Sequence, residues 1–92
     1  MIQQVFTAYD NKTKAFLPPF QLRTSEEAIR GFTEVCNTQD HQFQKYPEDY
    51  SLYLLGEFDD NTGRYENEQE PKLLITGRQI TTGKPPKIEK VD

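Results

Sequence analysis

From its second residue the chain alternates. Ile2, Gln4, Phe6 and Ala8 fall on one side, and Gln3, Val5, Thr7 and Tyr9 on the other. A two-residue period in so many β-formers predicts a strand. "DNKTK" follows as turn chemistry, because Asp10 and Asn11 tolerate the tight backbone angles of a hairpin. "AFLPPFQLR" then returns as a second strand. Pro18 and Pro19 have no amide hydrogen to donate, so this strand should be an edge or carry a break.

The period changes to that of a helix in "TSEEAIRGFTEVCN". Ala28, Ile29, Phe32, Val35 and Cys36 make one apolar stripe, which is the core face. Thr24 caps the first turn with Glu27 bonding back to it, and Asn37 stops the helix. Gly31 sits mid-helix at a cost of about 1 kcal/mol relative to alanine, which predicts close packing against the sheet. "TQDHQFQKYPED" reads as a polar loop anchored by Phe43. "DYSLYLLGEFD" is the strongest strand, and "DDNTG" turns it, with Gly63 available for a positive backbone angle. "RYENEQE" and "KLLITGRQI" are weaker strand candidates interrupted at Pro71. Beyond Gly77 little periodicity remains, and Gly83, Pro85 and Pro86 mark an extended segment without its own core.

The strong strand is apolar on both faces. Strict alternation places Leu52, Leu54 and Phe58 toward the helix, beside Phe6 and Phe32, and Tyr53, Leu55 and Glu57 on the opposite face, joined by Tyr9 or Val5. Three occupants suit that second face. "KLLIT" can fold back over it, a second copy can cover it, or unpaired bases can stack on it. Glu57 beside Tyr53 and Leu55 counts against the bases, so the expected cover is more protein. Tyr9, Tyr53 and Leu55 are the candidate oligomer contacts, with a dimer expected.

Charge sharpens the picture. Residues 1–71 hold six Lys/Arg against thirteen Asp/Glu, net −7, while residues 72–92 hold five against two, net +3. An acidic body with a basic tail divides the chain into a single α+β domain over 1–71 and a basic, Pro/Gly-containing segment over 72–92. The body by itself repels phosphate, so any nucleic-acid contact must be local. Arg78, Lys84, Lys87 and Lys90 are the candidate phosphate-binding residues on a pliable backbone.

Catalytic and metal chemistry find no constellation. Cys36 lies on the apolar helical stripe, where a thiol behaves as a small hydrophobe. His41 has no second histidine or cysteine near it in sequence, which leaves too few ligands for zinc. Asp59 and Asp60 with Glu57 belong to turn chemistry, because an EF-hand-like loop needs further ligands. "TTGKPPK" lacks the glycine spacing of a phosphate loop. No enzyme, metal or cofactor is expected. No membrane-spanning run and no signal peptide are seen, so the expected location is the cytoplasm.

"FLPPFQLRTSEEAIRGF" and "HQFQKYPEDYSLYLLGEFDDNTG" carry a resemblance. From about Phe6 to Gly63 the chain resembles the small nonstructural protein of gokushovirus-type microviruses, which are small icosahedral phages with single-stranded DNA. The most specific pieces are "LPPF", "EAIR", "HQF", "PEDY" and "LGE" followed by "DD.TG". The resemblance implies a DNA-binding role in the host cytoplasm, at the switch from duplex replication to single-strand synthesis and packaging. It brings no catalytic residues.

The expectation is therefore a ββαββ domain, a four-stranded and mainly antiparallel sheet with one helix on one face and a basic tail. Dimers would bring two tails onto single-stranded DNA. The alternative is an acidic adaptor that binds a viral or host replication protein and never touches DNA.

Overall fold

The computed structural model describes residues 1–81, so the candidate residues Lys84, Lys87 and Lys90 lie outside the described residues. Its frame is one antiparallel sheet. β1 (Ile2–Asp10) pairs on one side with β4 (Tyr50–Asp59), whose far edge carries β5 (Arg64–Thr76). On the other side β1 pairs with two short pieces, β2 (Ala15–Phe16) and β3 (Phe20–Leu22). The class is α+β. The expected second strand is both an edge and broken, because Pro18 and Pro19 cannot donate to a ladder. At the break the Leu17 amide donates to the Ala8 carbonyl at 2.8 Å, and the Thr7 hydroxyl donates to the Leu17 carbonyl at 2.6 Å.

Helix α1 (Ser25–Cys36) begins at Thr24, whose hydroxyl accepts from the Glu27 amide at 3.1 Å. The Glu27 carboxylate reaches back to the Arg23 amide at 3.2 Å, one residue earlier than a standard capping box. Ala28, Phe32 and Cys36 from the helix meet Phe6, Ala8 and Leu52 from the sheet, and Phe43, Tyr50 and Ile75 close the core. Phe43 stacks on Tyr50 with ring centroids 4.2 Å apart and touches Phe32 at 5.6 Å. Gly31 departs from expectation: a Cβ placed there would meet nothing within 4 Å. It lines an apolar groove of about 360 Å³ between α1 and the β2–β3 edge instead of packing against the sheet.

The expected polar loop holds two short elements, α2 (Gln42–Lys45) and a 3-10 turn (Pro47–Asp49). Four residues are too few to show a helical period, and α2 owes its start to His41, whose Nδ1 accepts from the Phe43 amide at 3.0 Å. A third helix, α3 (Gly77–Thr81), follows β5 directly. Gly77 is wedged against the Pro47 backbone, where a Cβ would collide with the Pro47 carbonyl. Residues 72–81, assigned by sequence to the C-terminal segment, thus belong to the packed body, with Ile75 in the core and Ile80 against it. β5 is one strand, yet its pairing with β4 lapses from Glu68 to Pro71. Pro71 sits in that irregularity, where a missing amide hydrogen costs no ladder bond.

Three register shifts shape the ladders of β4: one leaves Leu74 of β5 as an extra residue between the Leu52–Ile75 and Tyr53–Leu73 pairs, and two meet at Leu55. Phe6 pairs with Leu54 and Val5 with Gly56, so Leu55 is an extra residue against β1. Against β5, Leu54 pairs with Lys72 and Gly56 with Asn67, so one residue on β4 faces four on β5. Such a bulge bends the strand and re-aims the side chains beyond it. Gly56 makes it possible: a Cβ there would lie 2.5 Å from the Glu66 carbonyl oxygen and 2.7 Å from the Asn67 Cα.

These contacts give two expected outcomes. Gly31→Ala should raise stability by about 0.5–1 kcal/mol, since it gains helix propensity and meets open space. Gly56→Ala should lower stability by more than about 2 kcal/mol through backbone collision. Urea unfolding of the two variants checks both, and a Gly31→Ala protein less stable than wild type would mean the space beside α1 is filled.

Burial also pushes the Cys36 thiol up to about 11, and burial with Asp10 and Asp49 pushes the Tyr50 phenol up. The fold therefore holds these protons more tightly than the unfolded chain does. Their contribution to stability is complete below pH of about 9, the ordinary thiol value, and is lost as pH climbs through 11. Urea midpoints should fall over that window, and less steeply in Cys36→Ala. An equal slope in the variant would remove Cys36 from the explanation.

Candidate nucleic-acid interface

The Leu55 bulge decides which residues share a face. Before it, Leu52 and Leu54 lie on the helix side with Ala8 and Phe6, as the alternation predicts. After it, Glu57 pairs with Gln4, and Gln4 lies on the helix side, its Oε1 accepting from the Ser25 hydroxyl at 3.0 Å. Glu57 is therefore on the helix side and not beside Tyr53. Phe58 moves the other way: it pairs with Gln3 and with Tyr65, on the face turned away from α1. Strict alternation fails at both residues because a single inserted residue inverts a period of two.

Two aromatic groups stand on the outer face. Tyr9, Phe16 and Tyr53 form a cluster with ring centroids 4.8 Å (Tyr9–Phe16), 5.7 Å (Phe16–Tyr53) and 6.2 Å (Tyr9–Tyr53) apart. Phe16 remains 47% exposed, and Leu73, across the ladder from Tyr53, is 51% exposed. Farther along, Phe58 and Tyr65 pair at 4.8 Å with Tyr65 60% exposed. Tyr9 and Tyr53, two of the three expected contact residues, are thus neighbours. The third, Leu55, is the bulged residue and borders a shallow hollow with Asn67 and the Glu68–Pro71 segment. "KLLIT" does not fold over this face. It continues β5 alongside β4, with Leu73 extending the face while Ile75 turns into the core. No sequence signal marks Phe16 for the cluster, because its pairing with Tyr9 depends on where the turn places the return strand.

The ladder positions of this face carry no charge. Between the aromatic groups lie Val5, Thr7 and Gly56, and the remaining positions are Gln3, Gln21, Ser51, Asn67 and Thr76. The acids lie elsewhere. Glu57, Asp59 and Glu66 take the helix-side parity near the β4–β5 turn, and Glu68 and Glu70 lie in the unpaired stretch of β5. At the opposite end of the sheet exposed cations gather. Lys12 and Lys14 occupy the β1–β2 turn next to Phe16, and Arg78 follows two residues after Thr76. Thr76 pairs with Ser51, which pairs with Tyr9, so the chain leaves β5 at the ring-cluster end. Asp10 at this end accepts from the Lys12 and Thr13 amides at 2.9 and 3.4 Å. Glu48 and Asp49 lie at this end too: their 3-10 turn abuts α2 and α3, and the Asn11 amide of the β1–β2 turn donates to the Asp49 carbonyl at 2.8 Å.

Other candidates have structural employment. Asp59 shapes the β4–β5 turn, accepting from the Asn61 amide at 2.9 Å, and Asp60 pairs with the Met1 ammonium at 2.7 Å. Among the described residues, no three His, Cys, Asp or Glu side chains converge as metal ligands. Cys36 is buried. The groove beside Gly31 is lined by apolar side chains such as Leu17, Phe20 and Val35, which offer nothing to a polar ligand. No helix of the described residues is long and apolar enough to cross a membrane.

Residues 3–80 match the family model described as Phage ORF5 protein. No curated protein matches the chain. No solved structure matches it either.

Proposed function

The chain belongs to that phage family, and on this premise we propose that it is the non-enzymatic nonstructural protein of a gokushovirus-type microvirus. Its role is to bind single-stranded DNA during genome synthesis or packaging in the host cytoplasm. The observation that supports this reading is the separation of charge along the sheet. In a packed body of net −5 over residues 1–81, eight Lys/Arg against thirteen Asp/Glu, the exposed cations Lys12, Lys14 and Arg78 stand toward the end of the sheet where β5 finishes. Phosphate binding needs a local cationic footprint and does not need a basic body. Arg78 sits on α3, which Gly77 seats against Pro47, and Lys84, Lys87 and Lys90 extend the same positive run in sequence. Two copies would double the cations available to one strand.

A second reading has its own observation. The β4–β5 hairpin presents Glu66, Glu68 and Glu70 along an exposed sheet edge, a surface suited to a basic replication protein rather than to DNA.

Salt dependence separates the two. Cutting the chain after residue 71 would remove Ile75 from the core, so charge substitutions in the full chain are the cleaner tool. Binding to single-stranded oligonucleotide should weaken linearly on a log–log salt plot between about 50 and 200 mM. Changing Lys84, Lys87 and Lys90 to Gln, or Lys12, Lys14 and Arg78 to Gln, should flatten the slope by about 0.7 for each phosphate left without its cation. A slope indifferent to both sets would defeat the DNA reading. Absence of binding even at the lowest salt would favour the acidic edge and a protein partner.

A further inference from the structure

Resting on the single-strand reading above, we propose that the sheet face turned away from α1 is a stacking surface for unpaired bases, with the Tyr9–Phe16–Tyr53 cluster and the Phe58–Tyr65 pair as its two stations. The Leu55 bulge builds it. By inverting the alternation, the bulge carries Phe58 onto this face and Glu57 off it. Among the described residues, the ladder positions that a strand would meet on this face therefore carry no charged side chain.

Charge complementarity selects the occupant. The body is rich in carboxylates, and excluding them from one face matters most to a polyanion. Among the described residues the ladder positions of the face are neutral; its ring-cluster end adjoins Lys12, Lys14 and the end of β5 that leads to Arg78, while its Phe58–Tyr65 end borders Glu57, Asp59 and Glu66. Phosphates can follow those cations while bases turn toward the rings, the division of labour found in single-strand binding grooves. The chemistry between the rings fits the same occupant. Gln3, Gln21, Ser51 and Asn67 offer uncharged donors and acceptors to base edges, while Val5, Thr7 and Gly56 between the rings are buried beneath their neighbours. A duplex keeps its bases stacked inside and would leave the rings without partners, so single strands should be preferred. A self-interface would bury the same rings, and the experiment treats it as the rival.

The experiment is titration of the full chain with oligo(dT) and with a duplex of equal length, read by tyrosine fluorescence. The chain has five tyrosines and no tryptophan, so ring contact reports directly. Tyr53→Ala and Tyr65→Ala are each expected to weaken oligo(dT) binding by about 5- to 100-fold, the range for losing one stacked base. The salt slope should stay unchanged, and Tyr53→Phe should restore binding. Tyr65 is the safer variant for folding, being 60% exposed. If wild type binds oligo(dT) and neither alanine variant weakens it, the stacking surface is wrong while the cationic reading stands. If wild type binds no DNA at any salt, both fail together. If light scattering shows a dimer that Tyr53→Ala or Tyr65→Ala splits, the face is a self-interface and the proposal is overturned.

Discussion

A β-strand has one degree of freedom that matters for what its surfaces do: the parity of its side chains. In β4 that parity is reset by one residue, Leu55, inserted where Val5 and Phe6 of β1 face Gly56 and Leu54. The insertion is held because Gly56 lets the β5 backbone at Glu66 and Asn67 come closer than any Cβ would permit. On the core side of the reset, leucines meet the helix. Beyond it, Phe58 takes the outer face and Glu57 the helix-side parity, where it stays exposed. A single strand thus serves a packed interior at one end and an uncharged aromatic exterior at the other. The charge map of the molecule follows from that switch.

Much of this is legible in the sequence. The capped helix, its apolar stripe, the proline-broken edge and the Phe43 anchor can be read because each rests on a local signal: a period, a cap, or a missing amide hydrogen. What cannot be read shares one property. The bulge at Leu55, the empty space at Gly31 and the seat of Gly77 are set by the approach of backbone from elsewhere in the chain. Gly56 is visible as a glycine in a strong strand, a known mark of a bulge, but strict alternation runs straight through it. Glu57 and Phe58 fall on the wrong faces as a result. Of the candidate site, the ring pair Tyr9 and Tyr53 is legible, while Phe16 and the turn lysines need the topology.

Four of the six short motifs that carry the resemblance fall at the joints of this fold, while "EAIR" lies within α1 and "HQF" opens α2. "LPPF" is the break between β2 and β3, "PEDY" leads from the 3-10 turn into β4, "LGE" is the bulge, and "DD.TG" is the β4–β5 turn. They are stretches in which backbone geometry is most demanding, and none gathers catalytic groups. That distribution suits a protein whose specificity lies in a shaped surface. The acids on the β5 edge have a further physical consequence, since like charges along an open strand discourage pairing with another chain. The broad outer face is then the larger uncharged surface the sheet presents.

The central position of β1 has a temporal consequence. Its ladder to β4 joins Phe6 to Leu54, so the middle of the sheet is closed by residues 48 apart in sequence. Loop closure of that length must precede the reward of pairing, which slows folding relative to a helical protein of the same size. On a ribosome, β1 emerges first and can pair early only with the short pieces at Ala15–Phe16 and Phe20–Leu22. Its other edge stays open until Tyr50–Asp59 has been made. The aromatic surface does not exist before that moment, because β4 supplies Tyr53 and Phe58 and β5, made later still, supplies Tyr65.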